Sequence, residues 1–330
     1  MEPVRSQHPD DHPDADGVNA PTLTAQRPAP LEDEFLEHRP LLHAIAYRML
    51  GSVHDAEDVV QDAYLRWISQ DTAAVANPAG FLTTVTTRLC LDRLRSAAVR
   101  RELYVGPWLP EPLPTGSPYA WASTDFGADP ATAAAMRESA SIGMLLLLEQ
   151  LTPAERAVFV LREAFELPYP QIAEIIEHSP ESCRQLHHRA RQRLATSSKR
   201  RGATPRQSDP ARDKRIVEGF LAAARGGDFE RLKALFHEDV VVYTDGGGKI
   251  SAARNPISGS AKAARLYTHV IPKRYGEGTS FAFTWYNHAP ALLVRRPTLT
   301  FVYIFDIDED GRIAHLYMVA NPDKLTHLDA

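Results

Sequence analysis

Apolar positions keep a helical period through the first two hundred residues and then change to a strand-like one. Phe35, Leu41, Leu42, Ile45, Ala46, Met49 and Leu50 form a first stripe, which Gly51 ends. Ser52 caps a second helix, HDAEDVVQDAYLRW, whose apolar face is Ala56, Val59, Val60, Ala63, Tyr64 and Trp67. Asn77-Pro78 caps a third, with Phe81, Leu82, Val85, Leu89, Leu91 and Leu94 on its core side. Asp129-Pro130 starts another, ATAAAMRESASIGMLLLLEQL. Thr152-Pro153-Ala154-Glu155 then combines a hydroxyl cap, a proline at the first helical position and a glutamate three residues after the cap. The spacing of Ala157, Val158, Val160 and Leu161 continues that helix. A short helix follows from Gln171 to Glu177, and Ser179-Pro180-Glu181 starts another, whose Cys183, Leu186, Ala190 and Leu194 point inward.

Beyond these, the pattern predicts a helix from Lys214 to Ala224, a turn at Gly226-Gly227-Asp228 and a helix from Phe229 to Phe236. VVVYT, FAFTWYN, ALLV, TLTFVYIFDI and IAHLYMV then read as strands rich in β-branched and aromatic residues, with Asp308-Glu309-Asp310-Gly311 turning between the last two. Helices followed by a curved antiparallel sheet give an α+β unit after an all-α one.

The net charge of −5 does not suggest a nucleic-acid binder, but its distribution changes that picture. Met1 to Glu37 carries nine acidic and two basic residues, whereas Arg184 to Arg215 carries eleven basic residues against Asp209 and Asp213. Such a basic block is an electrostatic footprint for phosphate or a solvated linker. Residues 1–30 are rich in Pro and Asp and are expected to be a disordered acidic tail. Cys90 and Cys183 alone build neither a disulfide framework nor a zinc cluster, so no metal and no cofactor is expected. MEPVRSQHPDD lacks the apolar segment of a signal peptide, and no run approaches a membrane span; a cytoplasmic chain with no membrane partner is expected.

Three features carry chemistry. Two short helices joined by a tight turn, the second with Arg184, His188 and Arg191 at i, i+4 and i+7, match a helix-turn-helix whose second helix enters the major groove, against the alternative of an ordinary solvated helix. Asp55, Asp58 and Asp62 line one face of the second helix, a pattern that is most often simply a wet surface. From Leu103 to Pro130 lie six prolines, predicting an extended semi-rigid strap, and its Trp108 and Leu109 are large enough to dock on something.

The order of DAEDVVQDAYLRW, a helix ending DRLRSAAVRR, a spacer, LTPAERAVFVLRE and a helix-turn-helix ending HHRARQRL resembles the extracytoplasmic-function sigma factors of bacterial RNA polymerase over about residues 31–200. The resemblance implies core RNA polymerase and promoter DNA as partners. It implies a region 2 at 31–102 that binds polymerase and the minus-ten element, a linker at 103–130, and a region 4 at 131–198 that binds the minus-35 element. By position, Asp55, Asp58, Gln61 and Asp62 would face polymerase. Thr87, Arg88, Asp92, Arg93, Arg95 and Arg100 would hold the melted minus-ten strand. Arg184, Gln185, His188 and Arg191 would face the minus-35 groove, with His187 and Arg189 reaching phosphates.

WLPEP, Trp108-Leu109-Pro110-Glu111-Pro112, resembles the subgroup of these factors with an extra C-terminal SnoaL-like domain. After a basic linker at 199–213, residues 214–330 would be that domain, an α+β cone of the SnoaL and nuclear-transport-factor-like kind. Asp245-Gly246-Gly247-Gly248-Lys249 and Asn321-Pro322-Asp323-Lys324-Leu325 resemble the subgroup's signature segments, and the resemblance implies that the extension regulates the sigma domains in cis. Read alone, DGGGK is either a flexible hairpin turn or a backbone approach to a ligand; it is not a phosphate loop, because the long glycine-lysine form and its helix are missing. The cone is a candidate site for an unidentified small ligand. Two other readings are a ligand-responsive helix-turn-helix regulator and a SnoaL-type cyclase or isomerase, the latter drawing on Tyr243, Tyr267, His269, His288, Asp306 and His315. No enzymatic activity is expected.

Overall fold

The computed structural model describes residues 30–71, 75–116, 137–201 and 209–328; nearly all of the N-terminal tail, the Asp129-Pro130 helix start and residues 202–208 of the basic linker lie outside them. Helices α1 (Pro30–Leu50), α2 (Val53–Ile68) and α3 (Pro78–Glu102) come first. The Ser52 hydroxyl accepts from the Asp55 N–H at 3.1 Å, and the Asn77 side chain accepts from the Gly80 N–H at 3.0 Å, so both helices start where their caps predict.

Next come α4 (Ile142–Leu148), α5 (Pro153–Phe159), α6 (Tyr169–Ile176) and α7 (Pro180–Arg201). The helix expected to run unbroken to Leu151 is interrupted: Ser141 recaps the chain by accepting from the Met144 N–H. At α5 the capping box is complete, with Thr152 and Glu155 each bonded to the other's backbone. After α5 the chain widens into a π-turn, Val160–Ala164.

These helices do not form two separate bodies. Ile45, Met49, Leu50, Cys90 and Leu94 of α1 and α3 share one core with Leu148, Leu161, Ile172, Ile175 and Leu186. Buried guanidiniums seal the seam. Arg156 donates to the Met49 carbonyl at 2.8 Å and to Glu149, and Arg48 donates to Ser139 while lying over the Phe165 ring. Burial pushes their pKa values down, to about 9 for Arg156 and about 10 for Arg48, and both stay charged at neutral pH.

The third unit begins at α8 (Pro210–Gly226), four residues earlier than its apolar pattern indicates, because Asp209 caps it through the Ala211 and Arg212 N–H groups. It continues with α9 (Phe229–Leu235), β1 (Phe236–Asp245), β2 (Ile257–Ser258), α10 (Ser260–Arg274), β3 (Ser280–Tyr286), β4 (Ala289–Arg296), β5 (Leu299–Ile307) and β6 (Ile313–Val319). The pattern of apolar positions did not reveal α10, a helix with Pro272 inside it.

The sheet order is β2-β1-β6-β5-β4-β3. It is mixed rather than wholly antiparallel, since β1 and β6 run parallel, Val242 opposite Leu316. One face packs on α8 and α10 through Phe220, Tyr267, Tyr303 and Phe305. The other face, with Val302, Ile304 and Tyr317, packs on Leu109, Ile142 and Leu325. Both faces of the sheet are therefore covered, the second one by α4, the strap and the turns around Leu325 and Leu328.

His43 in α1 is buried, and that burial, with the Arg39 charge, lowers its pKa to about 4. The unfolded chain takes up a proton there near the ordinary value of about 6.5, whereas the folded chain does not until about 4, so stability falls as pH drops through that window. The melting temperature should begin to fall below about pH 6.5, and His43→Leu should remove part of that fall; an unchanged profile in the variant would assign the loss to other groups.

Candidate functional site

The strap from Leu103 to Thr115 brings the three signature segments together. Asp245 ends β1 with its carboxylate fully buried. Oδ1 accepts from the Tyr104 hydroxyl at 2.5 Å and the Gly247 N–H at 3.0 Å; Oδ2 accepts from the Leu109 N–H at 2.9 Å and the Lys324 ammonium at 2.7 Å. Lys324 also donates to the Leu109 carbonyl at 2.5 Å and sits 4.2 Å from the Trp108 ring centroid and 4.7 Å from that of Tyr104. Burial and the Asp245 hydrogen bond raise the Tyr104 pKa, keeping its hydroxyl protonated and donating.

The glycines of DGGGK are required for this packing. Gly247 has φ +59°, and a Cβ there would run into the Asn321 side chain; one on Gly246 would meet the Ile250 carbonyl. Asn321 uses its side chain twice, accepting from the Asp323 N–H and donating to Tyr104. Lys249 and Asp323 pair at the surface at 2.6 Å. DGGGK is thus neither a free hairpin nor a phosphate cradle; it is one wall of a slot that holds the strap.

The strap's second half joins α1 and α2. Glu111 caps α2, accepting from the Ser52 hydroxyl and the Val53 N–H at 2.9 and 2.7 Å, and pairs with His54 at 3.0 Å. Gly51 has φ +67° and lies against Trp108 and Pro110, leaving no room for a side chain. Asn287, at φ +52° in the β3–β4 turn, accepts from the Leu113 N–H at 2.9 Å and donates to Tyr47 at 2.6 Å and the Ala140 carbonyl at 2.8 Å. One amide therefore ties sheet, strap, α1 and the segment before α4. No pattern signals Asn287; a Tyr-Asn-His turn between strands is its only trace.

On the helical units the expected contact residues divide. In α7, Arg184, Gln185, His188 and Arg191 are exposed, and Arg184 also lies over Tyr169. His187 is instead buried, bonded to the Tyr169 hydroxyl at 2.9 Å and 2.8 Å from Glu163, so it does not reach out to phosphate; burial lowers its pKa. Arg189 is exposed but leans on Glu155 at 3.3 Å, beside Arg193.

In α3, Thr87 is buried, which corrects its expected contact with a strand. Arg88 donates to the Ile175 and Glu174 carbonyls at the end of α6 and pairs with Glu177. Arg93 bridges Asp55 at 2.7 Å and Asp58 at 3.0 Å, joining an expected DNA contact to the acidic stripe. Asp92 and Arg95 pair in solvent, Gln61 is exposed and Asp62 partly so. Arg100 lies on the helix, its side chain outside the described residues.

The six candidates for proton transfer do not converge. Tyr267 lies between α10 and the sheet, whereas Tyr243, His315 and Tyr317 stack on the opposite face, His315 3.0 Å from Asp306. His269 is exposed on α10 and His288 sits in the β3–β4 turn.

The sequence matches sigma-70 region 2 over residues 35–100, sigma-70 region 4 over 143–194 and a SnoaL-like domain over 217–316. It is 37% identical over 306 residues to the ECF RNA polymerase sigma factor SigJ of Mycobacterium tuberculosis, covering 89% of this chain and 92% of that one. The chain belongs to the extracytoplasmic-function sigma factors. The crystal structure of M. tuberculosis SigJ superposes with a TM-score of 0.67 at 32% identity, over 89% of this chain and 98% of that one. The probable ECF sigma factor SigI of the same species is 36% identical over 206 residues, 62% of this chain and 66% of its own length. Among the described residues no helix is long and apolar enough to cross a membrane.

Lys324→Met should destabilise this sigma factor by about 3–5 kcal/mol, because it leaves the Asp245 carboxylate buried without its cation. Adding Asp245→Asn should return much of the loss. Urea unfolding of both variants measures this; equal loss in the single and double variants would show that the charge pair is not what holds the slot.

Proposed function

We propose that this chain directs promoter-specific initiation with core RNA polymerase in the cytoplasm, and that its SnoaL-like domain controls it in cis by holding the two sigma regions closed. The observation that carries the reading is the shared core of α1–α3 with α4–α7, sealed by Arg156 and Arg88 and strapped to the sheet. Minus-ten and minus-35 elements centred about 25 base pairs apart lie roughly 85 Å apart at about 3.4 Å per base pair. Helices α3 and α6 are in contact here, so one closed molecule does not reach both elements. Arg88 and Arg93, expected on the minus-ten strand, are meanwhile engaged with α6 and with Asp55 and Asp58.

In the open form Asp55, Asp58, Gln61 and Asp62 would face polymerase, and Arg184, Gln185, His188 and Arg191 the minus-35 groove, with Arg189 reaching phosphate by exchanging its Glu155 contact within region 4. The regulatory slot is built from Trp108 to Pro112, Asp245 to Lys249 and Asn321 to Leu325. No catalytic role is assigned to the cone.

Transcription from a mapped promoter with purified core enzyme tests both halves. The wild type should initiate, Asp58→Arg should lower polymerase binding at least tenfold, and Arg191→Ala should weaken use of the upstream element. Asn287→Gly, which keeps the positive φ but removes the amide, should raise output several-fold. Absence of promoter-specific initiation by every variant would defeat the sigma reading, and tight operator binding without polymerase would favour a ligand-responsive regulator. Unchanged output from Asn287→Gly would defeat control by closure alone.

A further inference from the structure

Three donor groups from distant parts of the sequence meet at the start of α2. They are His54, Glu111 of the strap and His327 in the last described turn, and one ligand atom from each lies within 4.8 Å of the others. His54 Nδ1 is 3.0 Å from Glu111 Oε2, and the two imidazoles meet edge-on with centroids 5.7 Å apart.

The hydrogen bonds around the rings show which nitrogens are available. His327 Nε2 lies 2.7 Å from the Pro112 carbonyl, which can only accept, so Nε2 carries a proton, and in the neutral ring Nδ1 presents a lone pair. That Nδ1 is buried and has no hydrogen-bond partner. His54 Nε2 lies 2.7 Å from the Thr326 hydroxyl. A metal-bound histidine commonly gives its other N–H to a carbonyl or another oxygen acceptor; His327 is held in that way by the Pro112 carbonyl, and the Thr326 hydroxyl offers His54 Nε2 an acceptor oxygen.

We propose that His54, Glu111 and His327 form a binding site for one divalent transition-metal ion of the zinc class, joining α2, the strap and the C-terminal turn. Two imidazoles and one carboxylate suit zinc and its neighbours, whereas calcium and magnesium prefer oxygen alone. Three protein ligands leave a fourth position for water. Bonds of about 2.0–2.1 Å place tetrahedral donors about 3.4 Å apart, so the 3.0 Å His54–Glu111 contact has to open by about 0.4 Å to admit the ion. The ligand atom of His327, within 4.8 Å of the other two, has to close to that same spacing. The carboxylate supplies negative charge, and Asp55 and Glu57 act on His54 with the same sign. A protonated His54 paired with Glu111 accounts for the first contact without metal, but it leaves the His327 lone pair buried and unused.

The three ligands meet only when the strap and the last turn lie on α2. An ion at a hundredfold excess over its Kd therefore favours this arrangement about a hundredfold over one that separates them. Metal binding itself does not depend on the sigma reading; any effect on transcription does.

Chelator-stripped full-length protein titrated with zinc chloride, followed by calorimetry and by melting temperature, tests this. The wild type should bind one equivalent tightly and melt higher with zinc. His54→Ala and His327→Ala should each bind at least about tenfold more weakly and lose the rise. Cobalt in place of zinc should give a four-coordinate visible spectrum in the wild type alone. Zinc affinity and melting shift unchanged in both variants, or no binding by the folded wild type, would overturn the site.

Discussion

A carboxylate taken out of water must find all its partners within the protein, and Asp245 finds them on three different segments. Desolvating an ionised group costs several kcal/mol unless the geometry of its partners is close to ideal. Here both oxygens are doubly satisfied, by Tyr104, Leu109, Gly247 and Lys324. Removing any one of the three segments leaves Asp245 or Lys324 short of a partner. The strap, DGGGK and NPDKL are thus one object energetically, although Leu109 is 136 residues from Asp245, and Asp245 is 79 residues from Lys324. Its second anchor, Glu111 on the α2 N-terminus, repeats the logic with a carboxylate facing the positive end of a helix.

Through and beyond these two anchors the strap has little freedom. Proline fixes its backbone, Leu109 and Leu113 are buried, and Thr115 donates to the Trp285 carbonyl at the sheet edge. A segment with the composition of a flexible connector therefore works as a tie between region 2 and the sheet. The exposed face of α7 is left out of this network, whereas Arg88 and Arg93 of α3 are drawn into contacts with α6 and α2. On the reading proposed above, the helix-turn-helix face is exposed as it stands and the minus-ten side is the engaged one.

Much of this was legible in the sequence where the signal is local. Caps at Ser52, Asn77, Thr152 and Ser179 and the inward row Cys183, Leu186, Ala190 and Leu194 follow from periodicity and hydrogen-bonding chemistry alone. Long-range pairing was not legible. The parallel β1–β6 contact has no sequence signature, and α10 hides behind short polar residues and Pro272. His187 has the same side chain as His188, and one helical step of 100° separates burial against Tyr169 from exposure. Asn287, Arg156 and His327 gain their meaning from partners on other elements, so no spacing rule could have found them.

The seam between the helical units has a character that bears on what could open it. Its centre is apolar, which alone would make separation costly in water. Its edge carries Arg88, an exposed guanidinium donating to the Ile175 carbonyl, which can exchange protein for water with small net change, whereas Arg156, donating to Met49, is buried inside the seam. Charge and salt should therefore loosen the rim without exposing the centre. DNA offers phosphate and groove edges, which compete for arginines but do not cover Leu50, Leu94 or Ile175. A large protein surface can cover them. On the reading proposed above, polymerase rather than promoter is then the partner that supplies most of the free energy of opening, and DNA binding follows it.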